Sequence, residues 1–65
     1  MEYRELRELV RIRHELRNLA VTGDRDTAAP LLDRMRFLAA RDAAESAAVQ
    51  TEVSRWQFVF RLETT

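Results

Sequence analysis

Cysteine and lysine are both missing from this 65-residue chain, and glycine and proline occur once each. Without cysteine there is no disulfide framework, no thiolate metal site and no thiol nucleophile. The lack of bridges in so small a chain points to a cytoplasmic setting. No apolar run approaches the ~20 residues that span a bilayer, and no basic collar flanks an apolar segment, so no membrane partner is expected. Neither sign of charge is in excess: eleven basic residues, all arginine, balance eleven acidic ones. That neutrality makes nucleic acid an unexpected partner, because a dedicated binder normally carries a basic surplus.

What remains is helical in character. Gly23 and Pro30 lie together in the segment Thr22-Gly23-Asp24-Arg25-Asp26-Thr27-Ala28-Ala29-Pro30, and both flanks are free of either breaker. This single, off-centre interruption separates a pattern of about 20 residues from one of about 34. The expected fold is all-α, one helical domain spanning 1–65. Helix 1 should run over about 2–21, a turn over 22–27 and helix 2 over about 28–62.

The first helix has an apolar stripe of Leu9, Ile12, Leu16 and Leu19, widened by Leu6 and Ala20. Arg4, Arg7, Arg11, His14 and Asn18 line its opposite face. Arg4–Glu8, Glu8–Arg11 and Arg11–Glu15 have the spacing of helical ion pairs, each worth ~0.2–0.5 kcal/mol. Gly23 suits a left-handed helix end, and Asp24, Asp26 and Thr27 are candidate N-caps that place Pro30 in a first turn.

The second stripe is Leu31, Met35 and Leu38, a gap, then Val49, Val53, Trp56 and Phe60. The gap is rich in alanine, the best helix former. One continuous helix through it gives an antiparallel helical hairpin with a short first and a long second arm. The overhang then has no partner within the chain, so the hairpin is expected to dimerise into a helical bundle. Asp42-Ala43-Ala44-Glu45 offers the alternative: its capping-box spacing would start a third helix and close a three-helix bundle. Asp42 lies near the apolar seam, with Arg13 as its expected counterion. The alternation of Trp56, Phe58, Phe60 and Leu62 also leaves a strand open for the tail.

No constellation in the sequence suggests an enzyme. One histidine and no cysteine make a metal site or cofactor unexpected, and Ser46 and Ser54 have no nearby base in the sequence. A hairpin offers no pocket for a small-molecule substrate. The expected function is a small non-catalytic protein–protein interaction module: an accessory subunit, adaptor or inhibitor. Its partner-binding residues would be Val49, Val53, Trp56, Phe58, Val59 and Phe60, facing a second copy or a larger protein. A nucleic-acid-binding regulator using Arg4, Arg7 and Arg11 is one alternative.

His14-Glu15-Leu16-Arg17-Asn18 resembles the H-box of sensor histidine kinases, whose phosphorylated histidine projects from a dimeric helical hairpin. The resemblance implies His14 as a phosphoacceptor in a phosphorelay-type hairpin. Leu19 stands where that family usually has proline. The plain reading of His14 is a solvated histidine among arginines.

Overall fold

Three helices, not two, make up the described residues. The computed structural model describes residues 2–62, without the side chains of Ala43 and Glu45. The helices are α1 (Tyr3–Thr22), α2 (Arg25–Ala40) and α3 (Ala43–Phe60), and there is no strand among the described residues. The continuous helix over 28–62 is therefore corrected, and the three-helix alternative is the one realised. An unbroken helix of that length would run ~50 Å, whereas the longest dimension of the molecule is 31 Å.

The reversal that the hairpin reading missed needs no glycine. Arg41 stays helical (φ −84°, ψ −9°) and Asp42 turns extended (φ −134°, ψ 101°). Both are conformations open to any L-residue. The backbone N–H groups of Arg41 and Asp42 close the end of α2 on the Leu38 and Ala39 carbonyls at 3.3 and 3.1 Å. The Asp42 carboxylate then caps α3 by accepting from the Ala44 N–H at 3.0 Å. Asp42 thus serves as an N-cap, and Arg13, its expected counterion, forms a forked pair with Glu52 at 2.7–3.0 Å. The Glu45 half of the proposed capping box lies outside the described side chains.

The first turn is tighter than expected. Gly23 is left-handed (φ 72°), and its N–H returns to the Leu19 carbonyl at 2.8 Å. Asp24 is the cap, accepting from the Thr27 N–H and hydroxyl at 3.1 and 2.7 Å. Helix α2 consequently starts at Arg25, and Pro30 falls in its second turn. Its missing N–H leaves the Asp26 carbonyl without a helical donor there. Both residues are exposed, so water can take that place.

Helix α2 is central, with α1 and α3 packed against it and meeting each other least. The core is Leu9, Ile12 and Leu16 from α1, Ala28, Leu32, Met35, Leu38 and Ala39 from α2, and Val49, Val53 and Phe60 from α3. Leu32, rather than Leu31, faces inward, and Leu31 is half-buried. The tail is helical to Phe60, so the strand option is also corrected. It ends on Arg61 in the left-handed region (φ 56°, ψ 44°). The Leu62 N–H bonds back to the Gln57 carbonyl at 2.8 Å, and Leu62 packs on the core. That is a Schellman-type end with its usual apolar contact, built without glycine.

Candidate functional site

The C-terminal stripe divides on folding. Val49 and Val53 are each 1% exposed and Phe60 5%, so all three belong to the chain's own core. Trp56 is half-buried at its margin, with its ring centroid 6.0 Å from that of Phe60. Only Phe58 and Val59 remain in solvent. The stripe that motivated a homodimer is thus covered within one chain.

A second surface, on α1, is more extensive. At 100° per residue, Tyr3, Leu6, Arg7, Val10, His14, Arg17 and Val21 fall in an arc of roughly 100°, and Arg4, Arg11 and Asn18 extend it to roughly 160°. Every one of these side chains is exposed. Tyr3 is 72% exposed, Val10 62% and Val21 87%, although α1 already supplies a complete core stripe on another face. Tyr3 through His14 line one open, shallow surface, with the Arg7 guanidinium 5.8 Å from the Tyr3 ring centroid.

The arc itself contains no carboxylate: Glu8 borders the same surface but is drawn to Arg34, Glu5 is drawn to Arg41, and Glu15 is exposed just beyond Arg11 and Arg4. Glu8 receives Arg34 through two hydrogen bonds of 2.6 and 3.0 Å. Glu5 caps its own helix by accepting from the Glu2 N–H, and Arg41 approaches it to 3.2 Å. The Glu5 oxygen facing Arg41 has no aligned hydrogen bond, so that contact is an ion pair only. Arg34 and Arg41 reach these acids across the Phe37 ring, with their guanidinium carbons 5.0 and 5.9 Å from its centroid. Arg34 hydrogen bonding holds the Glu8 carboxyl below its ordinary range, against a smaller opposing effect of desolvation. The hydrogen bonds of Glu8 go to Arg34 rather than to Arg4 or Arg11, while the charge of Arg11 still favours its ionised form more weakly. Among the described residues, Arg4, Arg7, Arg11 and Arg17 have no carboxylate within salt-bridge distance.

A second charged clamp joins α1 to α3. Arg13 holds Glu52 in the forked pair, which lowers the Glu52 pKa; the Trp56 indole and the charge of Arg17 favour the ionised form more weakly. Glu52, Trp56 and Val59 border a shallow flank of α3 together with Ala48, Thr51 and Arg55.

The chemistry-bearing groups are dispersed. His14 is exposed on the cationic arc of α1. The hydroxyls of Thr51 and Ser54 donate to the Ala47 and Gln50 carbonyls of their own helix. Among the described residues no three His, Asp or Glu side chains gather as metal ligands. Among the described residues no helix is long and apolar enough to cross a membrane.

Sequence reading missed Tyr3, Val10 and Val21. Their spacings of 7 and 18 from Tyr3 are close to two and five helical turns, so the apolar residues left over from the core stripe carry a helical period of their own. Compared with known proteins, no family model matches this chain, and neither a curated protein nor a solved structure matches it significantly.

Proposed function

We propose that this chain is a non-catalytic protein–protein interaction module, an accessory subunit, adaptor or inhibitor, that docks through the outer face of α1. The observation that carries this reading is the exposed row Tyr3, Leu6, Val10 and Val21, on a helix whose core stripe is already satisfied. Tyr3, Leu6 and Val10 are neighbours on this face, with Val21 about three turns further on, and exposed apolar groups bordered by polar ones mark interaction sites. Val49, Val53 and Phe60 are committed to the chain's own core, so the docking surface moves from the C-terminal segment to α1.

A photo-crosslinking residue placed at Val10 in living cells tests the reading. A discrete adduct from position 10, and none from Thr51 on α3, is the expected result. Adducts confined to positions 58 and 59, or none anywhere, refute it. One observation favours a second reading, a nucleic-acid contact by Arg4, Arg7 and Arg11: Arg34 and Arg41 pair with Glu8 and Glu5, two of the glutamates that would repel phosphate. A gel shift whose affinity falls steeply with salt would support that reading.

A further inference from the structure

We propose that the occupant of the α1 face is an acidic amphipathic α-helix of a partner protein. This rests on the interaction reading above and adds the chemistry of the partner. The face presents two parallel rows. One is apolar, formed by Tyr3, Leu6 and Val10, and resumes at Val21 beyond His14 and Arg17. The other is cationic, formed by Arg4, Arg7 and Arg11, none of which has a carboxylate within salt-bridge distance among the described residues.

Tyr3 and Val21 are ~27 Å apart along the helix axis. An occupant that covers both must be straight and of that length, which an α-helix of about 18 residues provides. An added β-strand is excluded as a mode of docking, because it needs a free sheet edge and α1 has none. The occupant must bring carboxylates along one flank and apolar side chains at its seam.

Charge removes the nearest rival. A second copy packed face to face would set Arg7 and Arg17 against the same residues of its mate, with no acid in the arc to offset them. Like charges brought together at an interface are a device for rejecting partners. A nucleic acid would satisfy the arginines and leave the apolar row in water. The acidic helix alone satisfies both rows.

Exposed ion pairs contribute little affinity, so the apolar row should set the strength of binding and the arginines its orientation and salt dependence. The test uses the full chain and a fluorescein-labelled synthetic helix of about 20 residues, with leucine at the seam and glutamate along one flank. Its controls are the same peptide with lysine for glutamate, a scrambled peptide and a short DNA duplex. The acidic helix should bind and weaken as salt rises, and the lysine peptide should not bind. Val10→Glu should weaken binding at least ~tenfold. The double variant Arg7→Glu, Arg11→Glu should lose the acidic helix and gain the lysine peptide. All these positions are exposed, and circular dichroism verifies that each variant keeps its helices.

Equal binding of the scrambled peptide, or no binding of the acidic helix, overturns the proposal. If crosslinks from Val10 persist in that case, the surface stands and only the partner chemistry fails. Arginine-dependent DNA binding without peptide binding overturns it in favour of nucleic acid. Self-association that Val10→Glu abolishes overturns it in favour of a second copy.

Discussion

Replacing Trp56 by alanine separates a core ring from an interface ring. The indole is half-buried, packs on the core and leans on Phe60. Full truncation of a buried aromatic residue costs ~3–5 kcal/mol, so a ring covered about halfway should cost about 2 kcal/mol. A tilted aromatic pair at this distance adds ~0.5–1 kcal/mol. At ~0.05–0.15 kcal/mol per residue, the whole domain has only about 3–10 kcal/mol of stability. Trp56→Ala should therefore remove a large part of it and lower the melting temperature by roughly 10–25 °C. Urea melts followed by circular dichroism, at two protein concentrations tenfold apart, measure the effect. The shift should be the same at both concentrations, because the lost contacts lie within one chain. Phe58→Ala is the control: Phe58 is 72% exposed, and its truncation should stay within about 0.5 kcal/mol. An unchanged urea midpoint for Trp56→Ala, with loss of a concentration-dependent oligomer, would refute the intramolecular packing.

Three further outcomes follow from the helix ends and the clamps. Asp42→Ala removes the N-cap of α3 and should cost about 1 kcal/mol in a chemical melt, with native helix content retained. Arg61→Gly relieves a left-handed backbone at a non-glycine residue and should stabilise by up to ~1 kcal/mol, a gain that thermal unfolding reads directly. Arg13 and Arg34 depress the folded pKa values of Glu52 and Glu8 below their ordinary 4.5. Groups shifted this way contribute stability above the unfolded pKa and lose it as pH falls through the lower folded one. Acid titration of stability should thus fall below about pH 4.5, and Glu52→Gln should flatten that limb.

The sequence made much of the fold legible because much of it is local. Leu9, Ile12 and Leu16 announce their face by spacing, Gly23 marks the only glycine-dependent turn, and Val49, Val53 and Phe60 fall on one stripe. The second turn escaped because it is built from ordinary backbone at Arg41 and Asp42. Its only trace is a capping pattern, which an alanine-rich helix could equally contain. Misplacing that turn turned a core stripe into an apparent interface. The α1 face was obscured for a different reason. The arc itself follows from 100° per residue, but that Glu8 and Glu5 pair across to Arg34 and Arg41, rather than along α1, depends on how α2 and its C-cap pack against it.

The two-residue connections, Gly23-Asp24 and Arg41-Asp42, have a kinetic consequence. Each helix packs mainly on its neighbour in sequence, and α1 and α3, the pair most distant along the chain, meet least. Little loop-closure entropy precedes contact formation, and local topologies of this kind fold in microseconds to milliseconds. Helices form in ~0.1–1 μs, so docking onto α2 sets the pace. Either hairpin can close first, since α2 serves as the platform for both. A nascent or transiently opened chain would then expose Val49, Val53 and Phe60 only briefly. That brevity protects a chain whose apolar stripe would otherwise find the wrong neighbour.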